Sequence, residues 1–338
     1  MAVTLKDIAA AAGVSIGTVE RALKRKGRIN PQVAERIRSL AEEMNYQPNK
    51  IASGLVNRNR KYKFAVIFHM EGNDFWNEVI KGIHKAEREI RDYGISLKLY
   101  FGKNFDAQIQ LELIEQAIAE GANAIVIIPI NSPLIRKKLK ELGQSNFPIV
   151  FLTNYLNRVP CLTSIHCDYF RSGRIAAMLI RQLSGFQGEV LAFLPSPVLL
   201  GNNYRSNGIQ AYFKENCSNP VLKEIVELSG NPESDQQLIL AKLSGSPSVN
   251  YVIYNGDANI FLSSLACIKR PITSVLFDLS ADSKLALLDG KIMSVITQAP
   301  KEQGYQAINV LFQYFISNME PKKEILMDSQ ILFKECID

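Results

Sequence analysis

The sequence predicts an α/β protein in three parts: a three-helix helix-turn-helix head, a short hinge, and a two-lobed core of doubly wound parallel sheets. Three observations predict this. Residues 5–23 carry apolar side chains at helical spacing on both sides of Gly13. From Tyr62 onward, short runs of Val, Ile and Phe alternate with amphipathic stretches over some 270 residues. Charge is segregated: residues 1–61 hold 12 Lys and Arg against 5 Asp and Glu, a net of +7, whereas the remainder holds 27 against 28, a net of −1. A basic head on a neutral body points to a polyanion bound at the head.

In the head, Leu5, Ile8, Ala9 and Ala12 form one apolar helix face. Gly13 follows as the residue best suited to a left-handed helix stop. Ser15 is placed to cap a second helix with Val19, Ala22 and Leu23 inward. Helix, three-residue turn and helix is the spacing that sets a second helix into the DNA major groove. A third helix is expected to start at Pro31, with Val33, Ile37, Leu40, Ala41 and Met44 inward, and to close the head near Tyr46. Pro48 then breaks the pattern.

The wording here is more specific than the spacing. T4-L-K-D-I-A, A12-G-V-S, T18-V, R21-A-L and N45-Y-Q-P-N resemble the opening of lactose-repressor (LacI/GalR) family regulators. The resemblance implies that Ile16 and Gly17, with Arg21 one turn on, face base edges, where an arginine suits guanine. Ser15, Thr18 and Asn30 are expected at phosphates, setting register, and Thr4 joins the DNA-contacting set through its match. Glu20 is open between accepting from a cytosine and pairing with Arg21 or Lys24. The polar stretch Asn49–Arg60 reads by itself as a linker. In the family it is the hinge, folding on the operator and wedging a leucine between base pairs, which matches Leu55. Gly54 just before it weakens that helix by about 1 kcal/mol relative to alanine. The expected divisions are a head at 1–46, a hinge at 47–61 and a core at 62–338.

The expected core strands are 64–68, 96–100, 124–130, 148–153, 189–194, 250–255, 273–277 and 294–298. Ligands of doubly wound sheets sit beyond the carboxyl ends of the strands. The polar and aromatic residues there are Asn73, Phe75 and Trp76; Thr153 and Asn154; Asp168; Asn255; Asp278; and Gln298. Arg205 is expected to open the helix after the loop LPSPVLLGNNY. This part resembles type I periplasmic sugar-binding proteins, and within them the ribose-type receptors, over roughly residues 62–335. The resemblance implies stacking of Phe75 and Trp76 on a sugar ring, with Asp168, Arg205, Asn255, Asp278 and Gln298 on hydroxyls. It also implies three crossings between lobes, with lobe one at about 62–160 and 299–322 and lobe two at about 161–298 and 323–338. Thr153-Asn154 stands where ribose-type receptors carry Asp-Arg, so the identity of the sugar does not carry over.

The five cysteines (Cys161, Cys167, Cys217, Cys267, Cys336) form no CxxC pair and are expected as reduced thiols, with no metal and no cofactor. No apolar run approaches a membrane span, and MAVTLKD has no signal-peptide core, so a cytoplasmic protein is expected. The partners implied are double-stranded operator DNA, a monosaccharide-like effector and a second copy of the chain, since one head reads a half-site. The tail after Glu320 reads as strand-like, without the leucine heptads of a tetramer. A transporter receptor is the alternative from another class, disfavoured by the basic head. An α/β enzyme is the other, disfavoured because the chain has no Walker A loop, no GxGxxG after a strand and no GxSxG elbow.

Overall fold

Three helices form the head: α1 (Leu5–Ala12), α2 (Ile16–Leu23) and α3 (Pro31–Glu43). The computed structural model describes residues 3–23, 29–44, 46, 61–70, 72, 74–103, 105–185, 187–216 and 221–337. The hinge with Leu55, and Asn73, lie outside these residues. Thr4 caps α1 in a box with Asp7, and Gly13 ends the helix at φ 67°, as a left-handed stop requires. The helices bury Ile8, Ala9, Val19, Ala22, Ala34, Ile37 and Ala41 together. Ile37 and Ala41 are buried as expected, with Val33 and Met44 packed against them, whereas Leu40 stays half-exposed and Ala34 is buried in addition.

The first lobe begins β1 (Tyr62–Phe68), α4 (Asp74–Ile90), β2 (Ile95–Phe101) and α5 (Ala107–Ala119). It continues β3 (Ala124–Ile127), α6 (Pro133–Gln144), β4 (Ile149–Leu152) and β5 (Thr163–Cys167). The second lobe begins α7 (Tyr169–Leu183), β6 (Glu189–Pro195), α8 (Leu200–Asn216), β7 (Val221–Leu228) and α9 (Pro232–Ser244). Then come β8 (Val249–Tyr254), α10 (Ala258–Ala266), β9 (Thr273–Phe277), α11 (Ala281–Leu288) and β10 (Ser294–Thr297). The chain returns through α12 (Pro300–Ser317) and ends in β11 (Glu324–Met327) and β12 (Gln330–Leu332).

The two sheets have the same order, β2-β1-β3-β4-β5-β11 and β7-β6-β8-β9-β10-β12. Only β12 pairs antiparallel, against β10. In both sheets the order reverses beside the first strand, which leaves a crevice at the carboxyl edge. The central strands are apolar on both faces, Phe64, Val66 and Phe68 toward one helical layer and Ala65 and Ile67 toward the other.

Four expectations are corrected. Thr163–Cys167 belongs to lobe one, not lobe two, because it pairs with β4 in the register Leu152↔Ile165. Glu324–Met327 likewise pairs with β5 in lobe one, so the crossings fall after Cys167, at Gln298–Ala299 and between β11 and β12. The sequence reading missed β7 because an edge strand, open to solvent, carries Lys223, Glu224 and Glu227 among its apolar residues. Finally, α8 begins at Leu200, so Arg205 lies in its second turn rather than at its start.

One helix crossing per lobe is set by a pair of glycines. A Cβ at Gly173 would lie 2.1 Å from the Arg205 carbonyl oxygen, and one at Gly208 would lie 2.0 Å from that of Phe170. Backbone-to-backbone packing of α7 on α8 therefore fixes where Arg205 stands.

Candidate functional site

Two regions gather the expected residues. In the head, Ser15, Ile16, Gly17 and Arg21 form an exposed strip at the start of α2, with Thr18 half-buried beside it. The Ser15 hydroxyl accepts from the Thr18 N–H at 3.1 Å and lies 2.9 Å from the Thr18 hydroxyl. The Arg21 Nε donates to the Gly17 carbonyl at 3.0 Å, which lays the side chain back along the exposed face. Ile16 keeps 46% of its surface exposed, high for an isoleucine in a small head. Thr4 and Asn30 both serve as helix caps, Asn30 accepting from the Gln32 N–H at 2.9 Å. Both are exposed at helix N-termini, where a phosphate is also favoured.

The second region lies at the carboxyl edges of the two sheets. Arg205 is the centre of its lobe-two half: 2% exposed, with the guanidinium carbon 4.0 Å from the Phe277 ring centroid and 5.2 Å from that of Tyr169. Its Nε lies 3.4 Å from the Ser172 hydroxyl, and its Nη2 has no partner. Asp278 follows β9 in left-handed backbone, φ 67°, and accepts from the Gln298 side-chain amide at 2.7 Å. Burial raises the Asp278 carboxyl, while the Arg205 charge and the Gln298 hydrogen bond pull it back. The Gln298 Oε1 is buried and unpartnered. A buried cation, its carboxylate counter-charge and two orphaned polar atoms form an arrangement completed by hydroxyl groups.

Asn255 is buried at the end of β8, where its backbone N–H donates to the Phe193 carbonyl at 2.9 Å. Asp168 is exposed and caps α7, accepting from the Arg171 N–H at 2.9 Å.

The lobe-one half departs further from expectation. Trp76 is 7% exposed and packs in the lobe-one core, edge-on to Phe68 and His69 at ring-centroid distances of 6.1 Å and 5.0 Å. It does not offer an open stacking face; the amphipathic helix α4 turns it inward. Phe75 is half-buried against it at 4.8 Å. Asn154 is committed to the protein: its amide donates to the Pro129 carbonyl at 2.8 Å and its Oδ1 accepts from the Gly201 N–H at 3.1 Å. Thr153, in left-handed backbone at φ 55°, accepts at its carbonyl from the Tyr169 hydroxyl. With Ala299 at φ 51°, three non-glycine residues beyond the ends of β4, β9 and β10 hold this sparsely populated conformation.

Asn154 and Thr153 thus tie lobe one to lobe two. So do the Asn131 N–H to Val198 carbonyl bond at 3.1 Å and Leu200, which is buried in a lobe-one cluster with Ile130, Ile135 and Leu156. Tyr155 stacks on His166 at 4.3 Å and on Tyr204 at 6.0 Å. Burial, then Tyr204, raises the Tyr155 hydroxyl to about 12.

Sequence reasoning missed Tyr155, Tyr169, Tyr204, Phe277 and His69. His69 was within reach of the rule applied, since it directly follows β1; the reading began four residues later, at Asn73. The others stack through tertiary contacts that no local spacing announces. A separate cavity of about 550 Å³ lies between α4, α11 and α12, lined by Lys85, Lys284, Lys301, Glu78 and Glu302 among others, and holds none of the expected residues.

Residues 64–318 match a periplasmic binding protein domain, and residues 4–49 match the lacI family of bacterial regulatory proteins. The ribose operon repressor of Bacillus subtilis (strain 168) is 28% identical over 257 residues, 75% of this chain and 73% of that protein. Catabolite control protein A of Streptococcus mutans serotype c is 22% identical over 335 residues, 97% of this chain and 96% of that one. In fold, the crystal structure of GanP, a glucose-galactose binding protein from Geobacillus stearothermophilus, superposes with a TM-score of 0.74 at 17% identity, covering 82% of this chain and 99% of that one. With both parts in one polypeptide, the chain belongs to the periplasmic binding protein domain family and, through its head, to the lacI family of bacterial regulatory proteins.

Proposed function

We propose that this regulator is a repressor which binds a near-palindromic operator as a homodimer, with operator affinity set by a small sugar-like effector between the lobes. The observation that carries the effector reading is the buried Arg205 under the influence of Asp278, itself held by Gln298, with the Arg205 Nη2 and Gln298 Oε1 left unpartnered. Sugar hydroxyls supply both a donor and an acceptor to such groups. The relatives named as operon repressors support the direction of regulation. Ile16, Gly17 and Arg21 read bases; Ser15, Thr18, Thr4 and Asn30 set register on phosphates; Leu55 wedges the minor groove. Thr153 and Asn154 act by tying the lobes together, while Arg205, Asn255, Asp278 and Gln298 hold the effector, with Asp168 and Phe75 at its margin; Asn73, expected in the same set, lies outside the described residues. Closure of the lobes on a hinge carries the signal to the head. A regulator of chromosomal DNA works in the cytoplasm.

The test begins by selecting operator DNA from a random pool with the full-length protein, then measures mobility shifts with and without monosaccharides. We expect near-palindromic sequences to be enriched and at least one sugar to change their affinity. Arg205→Ala should keep operator binding and lose the response; Arg21→Ala should lose sequence preference and keep sugar binding. Recovery of unrelated sequences, or a sugar response that survives Arg205→Ala, would refute the reading.

A further inference from the structure

We propose that His69 is a further effector contact: its imidazole, buried at the carboxyl end of β1, hydrogen-bonds one hydroxyl of an uncharged polyhydroxy ligand and so helps decide which sugar fits. This rests on the cleft reading above.

His69 is 1% exposed, and its Nδ1 has no hydrogen-bond partner. A buried nitrogen left unpaired costs stability, so one that persists at the carboxyl end of a strand, where ligands of such sheets sit, points to a ligand. The ring is held rather than loose: Trp76 meets it edge-on at 5.0 Å and Phe105 lies against it at 4.6 Å, tilted by 31°. Its backbone is fixed as well, because a Cβ at Gly102 would come within 2.7 Å of the His69 carbonyl oxygen.

Its place in the sheet sets it beside the site. Ile67, Ile127 and Phe151 are paired across β1, β3 and β4, and His69 and Thr153 lie just beyond the carboxyl ends of β1 and β4, with Pro129 beyond β3 between them. Thr153 touches lobe two through Tyr169, on whose ring Arg205 also stacks. His69 thus stands at the sheet edge that reaches the Arg205 half of the cleft.

The chemistry selects the ligand's charge. Burial depresses the imidazole to about 3, so the ring is neutral and offers one N–H and one lone pair, the complement of a hydroxyl. Arg205 is the buried cation, and Asp278 already opposes it. A phosphate would bring a second acidic group to the side of Asp278.

Isothermal titration of the full-length protein with D-ribose, D-xylose, D-galactose, myo-inositol and D-ribose 5-phosphate tests this. At least one uncharged probe should bind, and the phosphate ester should bind more than about 10-fold more weakly than D-ribose. His69→Phe, which keeps the ring and removes its nitrogens, should weaken the best probe by about 10- to 100-fold. That deficit should vanish against one monodeoxy analogue of the same sugar. His69→Asn sets an amide near the Nδ1 position and His69→Gln near Nε2; Asn should recover more affinity than Gln. This comparison decides the matter if His69→Phe does not fold. His69→Phe within about threefold of wild type, with binding abolished by Arg205→Ala, would overturn the His69 contact and leave the cleft standing. So would equal losses against every deoxy analogue, the mark of a purely structural histidine. Binding unaffected by Arg205→Ala, or by no uncharged probe at all, would overturn both.

Discussion

Burial sets the state of each key side chain, alone at His69 and against named neighbours at Arg205. Arg205 stays a buried cation because two aromatic rings cover its faces and Asp278 balances its charge. His69 has no such partner, and burial alone holds it neutral with its pKa near 3. The unfolded chain takes up a proton near pH 6.5 and the folded chain does not, so stability present above that pH is lost as pH falls toward 3. Between pH 7 and pH 5 this amounts to about 2 kcal/mol. Urea unfolding at both pH values should show that loss in wild type, and His69→Phe should reduce it by about that amount. An identical pH dependence in the two proteins would mean that the imidazole is protonated in the fold. The residue scale also explains why the apparent stacking pair was half misread. A tryptophan two positions inside a helix is turned by the helical period onto the buried face, whatever it does in relatives.

Elements place these residues by how closely they pack. Helix α8 can hold Arg205 over Phe277 because Gly208 and Gly173 let it lie backbone-to-backbone against α7. Lobe one repeats the device where α4 meets α12: a Cβ at Gly82 would lie 1.9 Å from the Lys301 carbonyl oxygen. Gly208→Ala should therefore destabilise the core by about 1–3 kcal/mol and weaken sugar binding, because α8 must back away from α7. Urea midpoints together with titration of the best sugar check both effects; unchanged values would show that the crossing has slack. In the head, the cap of Ser15 on the Thr18 N–H starts α2 in the turn left by Gly13, so the base-facing strip begins where the spacing sets it.

On the scale of the whole molecule, the basic charge is concentrated in residues 1–61 and the core is close to neutral. In the proposed dimer, two such heads on one operator would neutralise several phosphates and release their counterions. Operator affinity should then fall by ~10³-fold or more between 50 and 200 mM salt, while sugar affinity, governed by the charge-balanced cleft, should barely move. Mobility shifts and calorimetry across that range measure the two separately; a flat salt response of operator binding would contradict the dimeric head model. The lobes are joined by protein contacts at Thr153, Asn154, Asn131 and Leu200 as well as by the effector site. On the proposed function, closure would thus involve the whole core, with the effector adjusting it.

What the sequence determined by itself was everything carried by local pattern. The helix, Gly13, Ser15 and helix order required a helix-turn-helix, and strand–helix alternation required doubly wound sheets, because periodicity and capping act over a few residues. The same pattern put Asp278 and Gln298 just beyond strand ends and Arg205 in the helix that follows β6. Tertiary structure decided which residues meet. It assigned Thr163–Cys167 to lobe one, since pairing with β4 depends on strand neighbours and not on its own residues. It turned Trp76 into the core, engaged Asn154 as a tie between lobes, and held the His69 ring between Trp76 and Phe105. Those outcomes depend on packing between segments far apart in the chain, and no spacing within a segment encodes them.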